Sequence, residues 1–193
     1  MRLYLITHAH TEQDRNTEVA QWHLSQSGQK QAEILARQPF WGEVDRLILS
    51  SEPKTRLTVE QVIAQRNLPV VVDAHFDELQ RPGWVDDYTA RVQQAFAEPD
   101  LPAGAWEPAA TALARFLAGI DELCRRFPHE TLAFVGHGLT LSLYRAYLLG
   151  QARVVITEWQ QLSFAALALV DPIARQLIQD FQPVAGQIAR GSL

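Results

Sequence analysis

Three histidines stand directly after runs of strand-forming residues. His8 and His10 follow Leu3–Thr7, and His137 follows closely on Thr131–Val135. An imidazole acts as a nucleophile, a proton donor or acceptor, or a metal ligand near neutral pH. Because ligands of open α/β sheets bind at the carboxyl ends of the strands, the pattern predicts a functional site at that edge.

Predicted strands alternate with predicted helices along the chain. Val70–Val72 contains no polar residue, which predicts a strand that is buried on both faces. The alternation predicts an α/β fold, a three-layer sandwich in which a mainly parallel central sheet has helices on both faces. The predicted strands are 3–7, 44–49, 70–72, 131–135, 162–170 and 174–178, and the predicted helices are 29–37, 54–65, 86–97, 107–127 and 139–149.

The length of the chain is that of one domain. Its 193 residues, of which 47% are hydrophobic, can bury one full core and are too few for two. The stretch from Pro82 to Gly104 interrupts the alternation with further prolines, which predicts an insertion or lid at 82–104, or an extra helical layer. We therefore expect a single domain over residues 1–193.

The charge balance bears on the partners of the protein. The 17 basic and 22 acidic side chains give a net charge of -5 without any basic stripe, so we expect no nucleic-acid partner. The residues before His8 do not resemble a signal peptide, and no apolar run is long enough to span a bilayer, so we expect no membrane partner. The single cysteine, Cys124, fits a reducing compartment. These features predict a cytoplasmic protein and leave its oligomeric state open.

Parallel strands share one carboxyl edge, so residues that end different strands meet there. His8, Ser50 and His137 end the first, second and fourth predicted strands, and we expect their side chains to lie together. Two histidines with a carboxylate on a nearby loop can supply a nucleophile, an electrostatic partner and a proton donor.

Five motifs stand in the same order as in a known family. They are Thr7-His8-Ala9, Leu24–Ala32, Ser50–Thr58, Phe76-Asp77-Glu78 and Gly136-His137-Gly138. This order resembles the histidine phosphatase superfamily, which has a phosphoglycerate-mutase-like fold. The corresponding family motifs read Arg-His-Gly, Leu-Thr-x-x-Gly-x-x-Gln-Ala, Ser-x-x-x-Arg-Ala-x-x-Thr, Leu-x-Glu and Ser-His-Gly.

The resemblance implies a role for each matching residue. His8 would attack phosphorus and form a phosphohistidine, Glu78 would protonate the leaving oxygen, and His137 would hold phosphoryl oxygens. Water would then hydrolyse the phosphoenzyme, so neither a metal nor another cofactor is required. The predicted substrate-binding residues are Thr7, Lys54, Ser50 and Gly138, the last of which begins a helix whose N-terminus favours anions. His10 and Arg81 are added as residues that would compensate for a missing arginine.

Three residues depart from the family motifs. Thr7 replaces the arginine before the phospho-accepting histidine, Lys54 replaces a second arginine, and Asp14 stands where the family has asparagine. Arginine binds phosphate through a rigid two-pronged fork, which neither threonine nor lysine offers. Each charge-assisted hydrogen bond that is lost costs about 1.5–3 kcal/mol, so these changes weaken phosphate binding or turnover.

Two functions therefore stay open for this fold. One is a phosphomonoesterase that acts on a small phosphorylated metabolite or a phosphoprotein, with weakened activity. The other is a catalytically degenerate protein that binds phosphate or another anion, or that serves as a scaffold. A mutase is less favoured, because the sequence shows no cations for a second anionic group on the substrate.

A metal-dependent hydrolase is a third interpretation. Thr7-His8-Ala9-His10 is similar to the Thr-His-x-His of metallo-β-lactamase-like hydrolases, and alternation in an extended chain would point His8 and His10 to the same side. The Asp-His that completes the zinc motif is replaced by Glu12-Gln13, and no β-sandwich half precedes the motif. We therefore predict no metal site here.

Overall fold

A six-stranded sheet lies at the centre of the protein. The computed structural model describes residues 1–184, so the end of the predicted domain, 185–193, lies outside the described residues. Short 3₁₀ turns occur at Val19–Gln21, Pro39–Glu43 and Ala74–Phe76. The strands and helices are β1 (Arg2–Thr7), α1 (Gln26–Ala36), β2 (Arg46–Leu49), α2 (Pro53–Arg66), β3 (Val70–Val72), α3 (Tyr88–Ala97), α4 (Ala109–Arg126), β4 (Thr131–Gly136), α5 (Gly138–Leu148), α6 (Ile156–Gln161), β5 (Ala166–Asp171) and β6 (Gln176–Pro183).

The sheet has the strand order β3-β2-β4-β1-β5-β6. The pairs β3–β2, β2–β4 and β4–β1 are parallel, whereas β5 and β6 add an antiparallel edge beside β1. This arrangement confirms the predicted α/β fold with a mainly parallel sheet. It also makes β2, β4 and β1 neighbours, so their carboxyl ends lie side by side.

Hydrophobic cores cover both faces of the sheet. In β1, Tyr4 and Ile6 pack with residues of α1 and α2, while Leu3 and Leu5 pack with residues of α4 and α5 on the opposite face. Successive side chains of a strand point to opposite faces, so a strand buried on both faces reads as a continuous apolar run.

The third strand does not match its prediction. Val70–Val72 forms β3 at the edge of the sheet, where it pairs only with β2, and the Val72 side chain is 55% exposed. The prediction that this strand is buried on both faces is therefore wrong. An apolar triplet is compatible with an edge position, and strand order follows from long-range pairing that the triplet does not encode.

The C-terminal part of the chain also differs from the prediction. A short helix, α6, precedes the hairpin and was not predicted. The predicted strand 162–170 begins only at Ala166, after Ala165 adopts a left-handed backbone with a φ of 48°. The predicted strand 174–178 corresponds to β6, which runs from Gln176 to Pro183.

The predicted insertion at 82–104 contains α3 and the loops on either side of it. Val92 and Phe96 of α3 pack in a third hydrophobic core with Trp106 and with Trp159 of α6. This core lies apart from the two that cover the sheet. A lid function for the segment stays a prediction. Within residues 1–184, no helix combines the length and apolarity needed to cross a bilayer.

Arg145 ties α5 to the C-terminal hairpin. Its guanidinium donates to both carboxylate oxygens of Asp180 on β6, at 2.8 and 2.6 Å, and also donates to Glu158 on α6. A two-pronged bond of this kind orients both partners. Arg145 thus helps to set the position of α5, the helix that begins directly after His137.

We expect Arg145→Met to lower the free energy of unfolding near pH 7, and we expect this loss to shrink in acid. The hydrogen bonds from Arg145 hold the pKa of Asp180 below its ordinary value of 3.8. The pair therefore stabilises the fold above that pH, and its contribution disappears as Asp180 is protonated. Denaturant titrations at about pH 7 and about pH 3 measure the difference, with the exposed Arg153→Met as control. An equal loss at both pH values would contradict the prediction.

Candidate active site

The carboxyl ends of three neighbouring strands bring together His8, Ser50 and His137. The ring centres of His8 and His137 are 5.4 Å apart. The Ser50 hydroxyl lies 2.7 Å from Nε2 of His137, and the backbone N–H of His8 donates to the Gly136 carbonyl at 2.8 Å. The three residues thus lie together, as the order of strand ends predicted.

The loop after His8 favours one tautomer of its neutral ring. Nδ1 of the ring lies 2.8 Å from the backbone carbonyl oxygen of Ala9. Because a carbonyl oxygen only accepts hydrogen bonds, the ring proton belongs on Nδ1, and in the neutral imidazole Nε2 then carries the lone pair. His8 is also almost fully buried and lines a cavity. This is the form that a nucleophilic histidine requires.

Two helices hold the backbone that follows His8. The N–H of Ala9 donates to the Thr58 hydroxyl of α2 at 2.9 Å, and the N–H of His10 donates to the Gln31 side-chain oxygen of α1 at 2.8 Å. At Gly28 a Cβ atom would lie 1.9 Å from the carbonyl oxygen of His10, so only glycine allows α1 to approach this closely. The motifs around Gly28 and Thr58 therefore position the loop that carries His8.

Lys54 is buried and already paired with an anion. Its ammonium donates to Oε2 of Glu52 and to the backbone carbonyl of Val19, both at 2.8 Å. Burial lowers the pKa of Lys54, and the adjacent Glu52 carboxylate opposes the shift. A phosphate group at Lys54 would have to share this cation with Glu52.

Glu52 is a site residue that the sequence did not identify. Its Oε1 accepts a hydrogen bond from the backbone N–H of Glu78 at 2.8 Å and lies 3.5 Å from Nε2 of His137. Glu52 occupies the N-cap position of α2 without capping it, because its side chain is turned toward Lys54. A glutamate before Pro53, where serine or aspartate is the usual cap, was the one local signal of a different role.

The Glu78 carboxylate occupies the N-terminus of α5. Its oxygens accept hydrogen bonds from the backbone N–H groups of Leu139 and Thr140, at 3.1 and 3.0 Å, and from that of Leu79. Glu78 also lines the cavity beside His8. The helix N-terminus at Gly138, for which the sequence predicted phosphate binding, contacts this carboxylate, and the binding of phosphate there stays a prediction.

The hydroxyl of Thr7 connects two strands. It donates to the Ser163 carbonyl at 2.8 Å and accepts from the Ala166 N–H at 2.9 Å, and Thr7 is fully buried. Thr7 is not among the residues that line the cavity. At the position for which the resemblance implied phosphate binding, this chain has a polar link between β1 and the start of β5.

His10 and Asp14 lie beside the cavity without lining it. Nδ1 of His10 is 2.8 Å from the hydroxyl of Ser25, the N-cap residue of α1. The Asp14 carboxylate accepts from Thr17 and from the Asn16 backbone, and the bond from Thr17 lowers the pKa of Asp14. In the described part of the chain, no group of three or more possible metal ligands comes together around His8 and His10 or elsewhere.

Arg81 lines the same cavity as His8, Lys54 and Glu78. Its guanidinium lies 5.1 Å from the centre of the Tyr88 ring. The positive charge of Arg81 also contributes to the lowered pKa of Lys54, so the two cations act on the same region.

The cavity has a volume of about 180 Å³, and much of its wall is aromatic. Sequence reasoning identified none of these aromatic residues as part of the site, because they are far apart in the chain. The signal that was present is the number of tryptophans, five in 193 residues. The aromatic residues of the wall are Trp22, Trp84, Tyr88, Trp106, Trp159 and Phe164.

The family follows from the sequence as a whole. The model of the histidine phosphatase superfamily (branch 1) matches residues 3–176. The chain belongs to this superfamily. Among curated proteins, no sequence matches the chain significantly.

Solved structures of the superfamily share the fold at low sequence identity. YhfR from Bacillus stearothermophilus is 17% identical with a TM-score of 0.79, and the match covers 96% of this chain and 98% of that one. The alpha-ribazole phosphatase from Shigella flexneri is 19% identical with a TM-score of 0.68, covering 98% and 100%. A mutant phosphoserine phosphatase from Entamoeba histolytica, solved with phosphoserine, is 16% identical with a TM-score of 0.72, covering 95% and 97%. At these identities the likeness shows the fold alone.

Thr7→Val should lower the free energy of unfolding by about 1–3 kcal/mol, because it leaves the buried Ser163 carbonyl and Ala166 N–H without their partner. Thr7→Ser keeps the hydroxyl and serves as the control. Chemical denaturation of both variants measures the difference. If Thr7→Val proved as stable as Thr7→Ser, the hydroxyl would not be the link between β1 and β5.

Proposed function

We propose that the protein is a phosphomonoesterase that forms a phosphohistidine on His8. The observation that carries the proposal is the favoured tautomer of His8, with its proton on Nδ1 toward Ala9 and its lone pair on Nε2, at the wall of a cavity and beside His137. The substrate class is a small phosphorylated metabolite or a phosphoprotein. Related structures named as phosphatases of phosphoserine and of alpha-ribazole phosphate esters fit this class.

The first chemical step is attack by Nε2 of His8 on phosphorus. The new N–P bond forms as the bond between phosphorus and the ester oxygen breaks, and the leaving oxygen takes up a proton. Water then attacks phosphorus, the N–P bond breaks and phosphate leaves, while a proton of the water returns to the group that protonated the leaving oxygen. His137, which lies beside His8 and contacts Ser50, is suited to hold a phosphoryl oxygen during both steps.

Glu78 is the proposed proton donor, because its carboxyl group lines the cavity together with His8. Both of its oxygens already accept backbone N–H bonds. A proton on this carboxyl group must share an oxygen with those bonds or displace one of them. We therefore expect leaving-group protonation to be slow in this protein.

Lys54 and Arg81 are the proposed cations for the phosphoryl group. Lys54 is shared with Glu52 and with the Val19 carbonyl, and Thr7 provides no charge. Each missing charge-assisted bond costs about 1.5–3 kcal/mol, which corresponds to roughly ten- to a hundredfold in binding or rate. The proposed enzyme is therefore a weak one compared with a site that has two arginines.

A second candidate function is anion binding without turnover. It is favoured by two contacts: Glu52 neutralises Lys54, and Glu78 occupies the N-terminus of α5. In that case the pocket would hold a phosphate or a phosphoester, and the histidines would only contribute hydrogen bonds.

Hydrolysis of 4-nitrophenyl phosphate, with and without a chelator, separates the two functions. We expect slow, chelator-resistant turnover that falls to the background rate in His8→Ala, because the nucleophile is lost. His129→Ala, an exposed histidine on another part of the surface, is the matched control. When the phosphate group of the substrate is radiolabelled and the reaction is stopped with alkali, in which phosphohistidine survives, the native protein should retain the label and His8→Ala should not.

Other outcomes of this assay assign the protein differently. Phosphate binding without turnover would support the second candidate. Turnover that the chelator abolishes would contradict the phosphohistidine mechanism and support a metal-dependent hydrolase.

Glu52→Gln should strengthen the binding of inorganic phosphate by about tenfold or more, because the buried Lys54 then pairs with phosphate instead of a carboxylate. Glu52 raises the pKa of Lys54, so the substitution lowers that pKa, and the measurement is made at about pH 6 because a lower pH favours the charged ammonium. The phosphate-induced rise in Tm measures the effect. Glu60→Gln, an exposed glutamate of α2, is the control. A rise equal to that of the native protein would show that phosphate does not contact Lys54.

A further inference from the structure

The aromatic wall of the cavity comes from separate parts of the chain. Trp22 lies in the loop before α1, Trp84 in the loop before α3, and Trp106 in the loop before α4, while Phe164 precedes β5. Tyr88 begins α3 and contacts both Trp106 and Trp159, with ring centres 5.6 and 6.0 Å apart. Rings from so many segments meet here around a space that no side chain of the described residues fills.

The aromatic surface extends from the rim to the nucleophile. At the rim, the rings of Trp22 and Trp84 are 6.4 Å apart, and Trp84 remains 39% exposed. At the inner end, Phe164 presents an edge-to-face contact to His8 at 5.5 Å. A phosphate bound at His8 therefore places the alcohol part of its ester among these rings.

The N–H groups of both rim tryptophans are already bonded, and the Arg15 guanidinium covers one face of Trp84, 4.7 Å from the ring centre. The indole N–H of Trp22 donates to the carbonyls of Asp14 and Thr17, and that of Trp84 donates to the Asp86 carboxylate. These donors are committed to the protein. The remaining ring surface interacts most favourably with a planar, polarisable group. Aromatic rings contact such a group in tilted or offset geometry.

The size of the cavity and the charges around it bear on the kind of ligand that it can hold. Its volume of about 180 Å³ is comparable to that of a cavity of about 150 Å³ that holds benzene. Among the described residues that line it, Glu78, Asp86 and Asp87 are acidic and Lys54 and Arg81 are basic, and Arg15 adds a cation 3.9 Å from the Asp86 carboxylate.

We propose that the cavity selects phosphate monoesters whose alcohol carries an aromatic ring. This inference rests on the proposed function, since it assigns the alcohol part of the ester that His8 would cleave. The aromatic ring lies against Trp84 and Tyr88 while the phosphoryl group meets His8.

Three esters with unactivated alcohols test the selection by turnover. Benzyl phosphate carries the ring, cyclohexylmethyl phosphate has the same size without aromaticity, and glycerol 1-phosphate is polar. We expect kcat/KM for benzyl phosphate to exceed that for cyclohexylmethyl phosphate by about three- to tenfold, the gain typical of aromatic contacts. Equal values for these two esters, or a preference for glycerol 1-phosphate, would overturn the proposal.

Variants of the two rim tryptophans test where the aromatic ring of the ester binds. Trp84→Leu and Trp22→Leu should reduce the ratio of kcat/KM for benzyl phosphate to kcat/KM for cyclohexylmethyl phosphate. Ile173→Ala, an exposed apolar residue on the turn between β5 and β6, is the matched control. An unchanged preference in both rim variants would place the ring elsewhere and contradict the proposal.

A binding assay keeps this inference separable from the proposed function. Benzylphosphonate cannot be hydrolysed. It should bind with higher affinity than methylphosphonate, and quenching of the fluorescence of the wall tryptophans measures both affinities. Tight binding of benzylphosphonate without turnover of any ester would support the aromatic selection and contradict the phosphatase. Turnover without a difference between the two phosphonates would support the phosphatase and contradict the selection.

Discussion

The parallel pairing of β2, β4 and β1 is the constraint on which the site depends. Thr7 pairs with Gly136, and Leu49 pairs with Val135, so the three strands end at nearly the same level. A slip of one residue in β1 would turn its alternating side chains to the opposite faces of the sheet and separate His8 from His137. The hydrogen bond from the His8 N–H to the Gly136 carbonyl extends this register beyond the strands.

The electrostatics of the site follow from the burial of Lys54, whose side chain is only 2% exposed. A buried ammonium needs an anion close by or loses its proton. Here Glu52 supplies the anion, and its second oxygen accepts the backbone N–H of Glu78. The pair organises the loop that carries Glu78, and the same contact reduces the positive charge available to a phosphate.

The layer formed by α3 and α6 has a packing role as well as a place in the site. Its buried residues form the third hydrophobic core, and the aromatic side chains at the boundary of this core continue into the wall of the cavity. Trp106 and Trp159 belong to both. The shape of the cavity therefore depends on the packing of this layer as well as on the strand ends.

The sequence by itself determined the fold class and the meeting of His8, Ser50 and His137, because apolar periodicity predicts the elements and parallel strands share an edge. The edge position of β3, the hydroxyl link of Thr7 and the contacts of Glu52 and Glu78 were decided only by the tertiary structure. Strand order and side-chain contacts join residues far apart in the chain, and local patterns do not encode them. The aromatic cavity has the same origin, since its rings come from four separate stretches of the chain, 22, 84–88, 106 and 159–164.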